Sequence, residues 1–196
     1  MSPRTKTQLD AHRAARQNEI LLKALRLFAN KGYFNTSISD IAKEAQISKG
    51  LLYSYFENKE QLLSTAIEYA LTEATKLNSE QDLVDLNPDE RISKTIETFF
   101  RMLTDKKELW SLVVSLAIHV GSIPSVHAII SEAYKGISME FKQLFEDVGI
   151  ANPEEEALKL GALLDGIGIQ YLIFGEEYPL DTIKNNIIKT YVNSIS

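Results

Sequence analysis

Apolar residues recur at helical spacing along almost the whole chain of 196 residues, and this periodicity limits the possible folds more than any other feature. Ile20, Ala24 and Leu27, for example, are four and three residues apart, which places them on one face of a helix. No run of about four to eight β-branched or aromatic residues alternates with polar ones between turn signals, as a strand requires. The sequence therefore predicts an all-α protein with about nine helices.

Capping residues divide this periodic pattern into separate helices. Gly32 follows a basic last turn and suits the left-handed conformation that often ends a helix. Ser37, Ser48 and Asn58 each precede an apolar segment, as N-cap residues do. The predicted helices span about residues 14–30, 37–45, 49–55, 58–71, 89–104, 106–120, 124–148, 154–174 and 180–194.

Charge is distributed unevenly between the two ends of the chain. The whole sequence has 21 basic and 27 acidic residues, a net charge of -6. Residues 1–60 hold ten basic and six acidic residues, a balance of +4, which leaves a balance of -10 for the rest. Some unevenness arises by chance in any chain of this size, but the pattern favours a basic head with an anionic partner and an acidic body.

The residue types that the chain lacks exclude several classes of site. Without cysteine there is no disulfide, no Cys-ligated zinc or iron–sulfur site and no thiol nucleophile. Of the three histidines, His119 and His127 are eight positions apart with no third ligand near them in the sequence. No glycine-rich phosphate loop is present. We therefore expect no metal, no cofactor and no enzymatic activity.

Two further absences bear on location. No stretch approaches the ~20 apolar residues that span a bilayer, and the best run, at residues 112–118, is short and lies mid-chain. Residues 1–16 are polar and basic without an apolar core, unlike a secretory signal. The expected location is the cytoplasm, with no membrane partner.

The spacing of the second and third predicted helices indicates a nucleic-acid interface. Two short helices joined by the turn 46–48 form a helix-turn-helix arrangement, in which the second helix enters the major groove. Ser48 and Lys49 begin that second helix, where free backbone N–H groups favour a phosphate. Tyr53 and Tyr55 offer hydroxyl groups to phosphate oxygens. These features predict binding to double-stranded DNA.

The same stretch carries short motifs at fixed intervals, namely Thr36-Ser37, Asp40-Ile41-Ala42, Ile47-Ser48-Lys49-Gly50, Leu52-Tyr53, Tyr55-Phe56 and Lys59-Glu60. In this order and spacing they resemble the DNA-binding head of the TetR family of bacterial transcriptional regulators, over about 55 residues. The resemblance implies a three-helix helix-turn-helix head at residues 14–74, with the motif itself at about 37–56. It also implies a helical effector-binding and dimerisation domain at 75–196.

The resemblance assigns roles to individual positions of the head. Thr36 or Ser37 is implied to touch backbone phosphate, and Lys49 is the position expected to reach a base edge. Tyr53 matches a tyrosine that contacts phosphate, and Tyr55 stands where the family often has histidine. The predicted DNA-binding residues are Thr36, Ser37, Ser48, Lys49, Gly50, Leu52, Tyr53, Tyr55 and Lys59.

Each assignment has a plainer alternative. The hydroxyl residues also serve as helix caps, the tyrosines also suit packing, and each lysine by itself also suits a solvated surface. The basic residues Arg4, Lys6, Arg13 and Arg16 suit either an arm that follows the minor groove or a solvated tail.

Gln46 is the one clear departure from the family pattern, which places glycine in the tight turn. If Gln46 adopts a left-handed backbone conformation, the cost is on the order of 1 kcal/mol. If it does not, the turn differs and the recognition helix is tilted. This position therefore decides how closely the head follows the family.

The acidic body carries no motif of its own, so its sites are implied by the resemblance alone. Residues 157–174 are apolar around most of a helix and need cover on several sides, which favours a dimer interface over burial within one subunit. The predicted interface residues are Leu160, Leu164, Ile167, Tyr171, Ile187 and Tyr191. The predicted effector-pocket residues are Phe99, Met102, Leu103, Trp110, His119, Tyr134 and Tyr171. Asp165, alone in the apolar run, suits an interface hydrogen bond better than a cationic ligand.

Two functions from different classes remain open. The first is a ligand-responsive regulator of transcription, expected to be a repressor, that binds an inverted-repeat operator as a homodimer and is released by a small, largely apolar effector. The second is an α-helical ligand carrier or enzyme whose head binds a protein partner. The scarcity of histidine and the lack of cysteine favour the first.

Overall fold

The computed structural model describes residues 6–75, 86–120 and 123–192. Within these ranges the chain forms nine α-helices and one 3₁₀ turn and no strand, which confirms the predicted all-α class. The helices are α1 (Lys6–Lys31), α2 (Ile38–Glu44), α3 (Lys49–Tyr53), α4 (Lys59–Thr75), α5 (Pro88–Asp105), α6 (Lys107–Val120), α7 (Pro124–Asp147), α8 (Pro153–Phe174) and α9 (Leu180–Val192).

Local sequence signals set most helix ends. Gly32 follows α1 at a φ of 82°, a conformation that favours glycine. Ser37 caps α2, and its side chain accepts a hydrogen bond from the Asp40 backbone N–H at 3.1 Å. Asn58 does the same for α4, because its Oδ1 accepts from the Gln61 N–H at 2.8 Å. These caps lie where the sequence predicts them.

The N-terminal part of α1 differs from its prediction. The sequence predicts a helix from about residue 14, preceded by a basic arm, but α1 already begins at Lys6. Arg13 and Arg16 therefore project from a helix rather than from a tail. The apolar periodicity starts only at Ile20, so the polar first turns of α1 leave no hydrophobic pattern in the sequence.

The chain divides into two compact units, each with its own core. The first unit comprises the chain up to Thr72 together with Leu112–Ile130, and the second comprises Glu73–Ser111 with the chain from Ser131 onward. The first unit thus includes a segment that sequence reasoning assigns to the body. The division at residue 74 stays a prediction. The core of the first unit buries Ile20, Ala24, Leu25, Phe28, Ile41, Leu52, Phe56, Leu62, Leu63 and Ile67.

The core of the second unit is formed by side chains of α5, α7, α8 and α9. Leu103 and Phe145 are completely buried in it. Tyr191 of α9 stacks on Phe145 with ring centroids 5.0 Å apart. Arg91 of α5 and Asp147 at the end of α7 form an ion pair at 2.9 Å. Apolar burial of this kind supplies the main stabilisation of a helical domain.

Helix α8 is apolar on two opposite faces. Leu160, Leu164 and Ile167 point into the core of the second unit and are at most 4% exposed. On the opposite face Leu158 and Ile173 are 61% and 70% exposed. By length and composition alone, the helical segment 153–177 suffices to cross a membrane, since an 18-residue window within it has a mean hydropathy of 1.4. The expectation that no stretch approaches the requirement for a membrane span is therefore wrong for this segment. Isolated polar residues interrupt its apolar run, but the mean hydropathy stays high enough for a span.

Candidate functional site

The turn between α2 and α3 fixes the geometry of the helix-turn-helix. Gln46 has a φ of 54°, so the left-handed conformation is present without a glycine. The Gln46 N–H donates to Lys43 O at 3.1 Å and the Ile47 N–H donates to Ala42 O at 3.0 Å. These two bonds form the Schellman motif that ends a helix and redirects the chain. The turn expected for the motif is therefore present, at the cost that a non-glycine residue brings to this conformation.

Every residue of α3 except Leu52 is exposed. Ser48 caps the helix, because its Oγ accepts from the Leu51 N–H at 3.1 Å. Lys49 and Gly50 are exposed at its start, and Tyr53 is 53% exposed at its end. We call these four residues, Ser48, Lys49, Gly50 and Tyr53, the α3 face. The structure thus groups four of the predicted DNA-binding residues on one accessible surface.

Two predicted DNA-binding residues are buried. Leu52 of α3 is 1% exposed and packs in the core of the first unit. Thr36 is also 1% exposed, and its hydroxyl donates to backbone oxygens, at 2.9 Å to Gly32 O and 3.3 Å to Leu27 O. Because neither side chain is accessible, we leave both out of the contacts proposed below. Leu52 fits the family pattern because it packs in the core, and Thr36 fits it because its hydroxyl stabilises the connection between α1 and α2.

Ser37 is exposed, but its hydrogen-bonding groups are occupied. Its hydroxyl donates to Asp40 Oδ2 at 2.7 Å and its backbone N–H donates to the same oxygen at 2.9 Å. These bonds favour the charged carboxylate and lower the pKa of Asp40. A phosphate at Ser37 would have to compete with that carboxylate and approach its negative charge.

Lys59 is drawn into the head rather than projecting from it. Its Nζ donates to Tyr33 O at 3.0 Å and to Thr36 O at 3.1 Å. The same ammonium lies 4.3 Å from the centroid of the Tyr33 ring. Lys59 therefore connects the start of α4 to the segment between α1 and α2, and a phosphate contact would use the remaining proton of the ammonium.

Two arginines of α1 contact residues that precede and follow α3 in the chain. The Arg16 Nη2 donates to Ala45 O, at the end of α2, at 3.0 Å. The Arg13 guanidinium lies 5.5 Å from the ring centroid of Tyr55, which follows α3 and is partly buried. Sequence reasoning missed these contacts, since Arg16 and Ala45 are 29 positions apart and only the local spacing of Arg16 and Glu19 is visible in the sequence.

Three of the predicted effector-pocket residues, Phe99, Trp110 and Tyr171, are partly buried against the core of the second unit. The rings of Phe99 and Trp110 meet edge to face at 6.1 Å, and Trp110 packs against the backbone of α8 at Gly168. The indole Nε1 is buried and has no hydrogen-bond partner among the described residues. The Lys107 ammonium lies 4.8 Å over the ring of Tyr171. We call Phe99, Trp110 and Tyr171 the aromatic cluster.

The other predicted effector residues do not join this cluster. Met102 and Leu103 are buried in the core at 9% and 0% exposure. Tyr134 is half exposed on α7, and its hydroxyl donates to the Asp165 carboxylate of α8 at 2.8 Å. The side chain of His119 lies outside the described residues. The predicted effector-pocket residues therefore include core residues, a surface residue and the residues of the aromatic cluster.

The predicted dimer residues lie on the inner side of α8 and α9. Leu160, Leu164, Ile167 and Ile187 are at most 6% exposed in the subunit core, and Tyr171 and Tyr191 pack against it. The apolar residues exposed on α8 are instead Leu158, Leu163, Ile169, Ile173 and Phe174. The predicted interface stays a prediction, because Ile167 and Ile187 also line a groove between α8 and α9, and a helix that is apolar all round offers no periodicity with which to separate its two faces.

A groove of about 420 Å³ runs between α8 and α9 on the surface of the second unit. Its floor includes the small residues Ala162 and Gly166 of α8, and its other side carries Ile183, Asn186 and Thr190 of α9. None of the predicted effector residues lines it. Small residues on such a floor permit close approach of another helix.

Within the part of the chain that the structure describes, no group of three or more His, Asp or Glu side chains is arranged to hold a metal ion.

Comparison with known proteins places both parts of the chain. Residues 20–66 match the family model for bacterial regulatory proteins of the tetR family. Residues 88–196, more than half of the chain, match the model for the C-terminal part of BetI-type transcriptional repressors.

Relatives of known sequence agree with these matches. The HTH-type transcriptional regulator YerO of Bacillus subtilis (strain 168) is 34% identical over 67% of this chain and 45% of its own length. YxaF of the same organism, also an HTH-type transcriptional regulator, is 30% identical over 77% of this chain and 80% of its own length. The match to a third B. subtilis regulator, YuxN, covers 52% of that protein. The chain thus spans about half the length of YerO and YuxN.

Solved structures share the fold. A TetR transcription regulator from Haloarcula marismortui ATCC 43049 aligns with a TM-score of 0.76 at 16% identity, over 92% of this chain and 98% of its own. A proposed transcriptional regulator from Saccharomonospora viridis, solved in complex with choline, aligns with a TM-score of 0.73 at 22% identity, over 92% and 96%. With the helix-turn-helix geometry and the two family matches, the chain belongs to the TetR family of bacterial transcriptional regulators.

Proposed function

We propose that this chain represses transcription by binding an inverted-repeat operator as a homodimer, and that a small, largely apolar effector releases it. The observation that carries the proposal is the α3 face, which stands exposed on a helix held by a Schellman turn. Family membership favours this function over an α-helical carrier or enzyme. Such a regulator acts on the chromosome, so the proposed location is the cytoplasm.

The proposed DNA contacts are Ser48, Lys49, Gly50 and Tyr53 of the α3 face, with Tyr55 at its edge. Lys49 is exposed, so its ammonium is free to reach a base edge or a phosphate in the major groove. The Tyr53 hydroxyl suits a phosphate oxygen. Ser37 and Lys59 are secondary candidates, because the hydrogen bonds that occupy them must be kept or exchanged when DNA binds.

The proposed dimer interface is the exposed side of α8 together with the groove beside α9. Its apolar residues include Leu163 and Ile169, which are 46% and 42% exposed, and the groove floor is small at Ala162 and Gly166. A second copy of the same surface would cover these residues about a two-fold axis. Two heads related by such an axis match half-sites separated by about one or two helical turns of DNA.

The proposed effector site is the region of the aromatic cluster. Three rings and an indole N–H that has no partner among the described residues offer apolar surface and one hydrogen-bond donor. The Lys107 ammonium over Tyr171 indicates that this ring face accepts a cation. Among the similar proteins, one structure contains choline and one relative is the fatty acid metabolism regulator of B. subtilis, which is 22% identical. Repression is favoured by the family description and by the negative transcriptional regulator IcaR among the relatives.

The test of DNA binding begins with duplexes that the wild-type protein selects from a random library. Lys49→Ala is expected to weaken binding to the selected duplex by about 1–3 kcal/mol, because it removes a contact to a base edge or phosphate. Fluorescence anisotropy at several salt concentrations measures both the affinity and its salt dependence. Wild-type affinity is expected to fall steeply as salt rises.

The matched control is Lys135→Ala, which removes an exposed lysine of α7 in the second unit. It is expected to leave the affinity nearly unchanged. Equal losses in both variants would mean that total charge, and not the α3 face, directs binding. A selection that enriches no duplex would remove the proposed function.

The test of the effector site uses the single tryptophan of the chain as its reporter. Choline is a suitable first probe, since a quaternary ammonium binds to aromatic faces. If it binds at the aromatic cluster, its addition changes the emission of Trp110 and weakens binding to the selected duplex. Emission that stays constant while DNA binding weakens would place the site elsewhere, and no change in either measurement would exclude choline as an effector.

A further inference from the structure

The peptide group between Ala45 and Gln46 is held at both of its ends. Its N–H donates to Lys43 O at 3.1 Å, within the Schellman turn. Its oxygen, Ala45 O, accepts a hydrogen bond from Arg16 Nη2 at 3.0 Å. The second bond comes from Arg16 of α1, which lies outside the helix-turn-helix, whereas the first is formed within the turn.

This peptide group lies at the one strained position of the motif. Gln46 has a φ of 54°, where a side chain raises the free energy relative to glycine. With glutamine, other conformations of the turn are therefore closer in free energy to the observed one. Rotation about φ of Gln46 would turn the Ala45–Gln46 peptide relative to α3. A hydrogen bond made only in the observed conformation therefore favours the observed direction of α3.

Arg16 is well arranged to make that bond. Its Nη1 is paired with the carboxylate of Glu19, one helical turn further along α1. Glu19 in turn binds Lys23 at 2.8 Å, and these two partners, Lys23 foremost, lower the pKa of Glu19. The guanidinium is thus held in place by its own helix before it reaches Ala45, which reduces the entropy lost on forming the contact.

We propose that Arg16 is a positioning residue for the recognition helix, which fixes the turn at Gln46 by binding Ala45 O. The inference rests on the proposed function, since it concerns how α3 is presented to DNA. Arg13 supports the same arrangement at the residues that follow α3, where its guanidinium lies over Tyr55. Arg13 and Arg16 of α1 thus stabilise a turn conformation that glycine would favour by itself in the family pattern.

A direct phosphate contact is the competing role for an arginine near DNA. The side chain of Arg16 is 31% exposed, and Glu19 balances its charge. Its two terminal nitrogens donate to Glu19 and to Ala45 O, so a phosphate would have to displace one of these acceptors. The observed contacts favour positioning.

A double-mutant cycle between Arg16 and Gln46 tests the proposal. On the duplex selected by the wild-type protein, Arg16→Ala is expected to weaken binding about tenfold. In the Gln46→Gly background, where the turn no longer depends on an external contact, the same substitution is expected to weaken binding less than about threefold. Arg16→Lys keeps a donor at this position and is expected to restore part of the affinity. Lys23→Ala, which also removes a cationic partner of Glu19, is the matched control and is expected to leave binding nearly unchanged.

A second measurement needs no DNA. Hydrogen exchange of the Ile47 amide, which donates to Ala42 O at 3.0 Å, reports opening of the turn. Arg16→Ala is expected to accelerate this exchange about tenfold in the Gln46 protein, and much less in the Gln46→Gly background.

The outcomes separate this inference from the proposed function. An equal loss of DNA affinity in both backgrounds, with unchanged exchange at Ile47, would overturn positioning and assign Arg16 to the phosphates. If the wild-type protein enriches no duplex, the proposed function fails. The exchange measurement alone then supports or overturns the role of Arg16 in the turn.

Discussion

Asp165 is a carboxylate in a mostly apolar stretch of α8, and it is held by one hydrogen bond. The Tyr134 hydroxyl donates to it at 2.8 Å. Burial raises the pKa of Asp165, and the hydrogen bond from Tyr134 only partly opposes this. Burial, with the adjacent carboxylate, also raises the pKa of Tyr134 to about 12. The pair is therefore a neutral donor bound to a carboxylate that is costly to ionise.

The raised pKa of Asp165 leads to a prediction about stability and pH. The folded protein binds the proton of this carboxyl more tightly than the unfolded chain does. The contribution of Asp165 to the free energy of unfolding is therefore largest below the pKa of the unfolded state. That contribution is lost as pH rises through the folded pKa. In Asp165→Asn the loss is expected to disappear, so the variant gains stability relative to wild type as pH rises across this window. Urea unfolding of both proteins at a series of pH values measures the difference.

Tyr134→Phe is the informative companion, because it removes the donor but leaves the carboxylate. The pH-dependent loss is expected to be larger in Tyr134→Phe than in wild type. If wild type and Asp165→Asn change in parallel with pH, Asp165 is not the titrating group.

The residues of the head show what a sequence pattern can and cannot distinguish. The pattern predicted the capping role of Ser37 correctly and identified Gln46 as the position that decides the turn, because both depend on neighbours within a few positions, but it left the conformation of Gln46 open. It did not distinguish Leu52 and Thr36, which are buried, from the exposed Lys49. Family motifs mix residues that pack with residues that bind, and only the position of the surrounding helices separates the two.

At the scale of elements, α8 shows the same limit in another form. The existence and length of the helix follow from its apolar composition, and the structure confirms it at Pro153–Phe174. The sequence does not show which face of α8 is buried, because both faces are apolar and long-range packing decides which one is covered. The predicted interface therefore named Leu160 and Leu164, which are buried in the core, and omitted Leu158 and Ile173.

Gly168 of α8 lies directly against the indole of Trp110 of α6. A Cβ at this position would lie 2.8 Å from the Trp110 Nε1 and 2.9 Å from its Cζ2, which is closer than packed atoms allow. Gly168→Ala is therefore expected to displace the indole and to lower the free energy of unfolding by about 1–3 kcal/mol. Denaturant unfolding measures the loss, and the emission spectrum of the single tryptophan measures the displacement.

Gly161→Ala provides the control on the same helix. A Cβ at Gly161 meets nothing within 4 Å, so the substitution is expected to stabilise α8 by up to about 1 kcal/mol through helix propensity. It should leave the emission of Trp110 unchanged. Similar effects of the two substitutions would contradict close packing between Trp110 and Gly168.

At the scale of the whole molecule, the uneven charge agrees with DNA binding by the N-terminal head and not by the body. The net charge of -6 combines a balance of +4 over residues 1–60 with a balance of -10 over the rest. A body of this charge repels DNA, so docking through the basic head is favoured. The exposed apolar side of α8 then requires a cover other than nucleic acid, and a second copy of the chain is the cover that we propose.

Gly166, on the floor of the groove between α8 and α9, allows a test of that interface. A Cβ at Gly166 meets nothing within 4 Å of the same subunit, so a side chain there is tolerated by the fold. In a two-fold dimer, Gly166→Glu would bring two buried carboxylates towards each other. The dimer dissociation constant is expected to rise at least about a hundredfold, because juxtaposed like charges cost several kcal/mol. Sedimentation equilibrium over a range of protein concentrations measures this constant.

Gly161→Glu makes the matched control, because it adds the same charge to the same helix, and Gly161 does not line the groove. It is expected to leave dimerisation nearly unchanged. With the dimer lost, Gly166→Glu should also bind a selected inverted repeat no more tightly than an isolated half-site, since its two heads are no longer linked. A Gly166→Glu protein that stays dimeric would exclude the groove as the interface. A wild-type protein that is monomeric at micromolar concentration would exclude the dimer itself, and the exposed side of α8 would then need another partner.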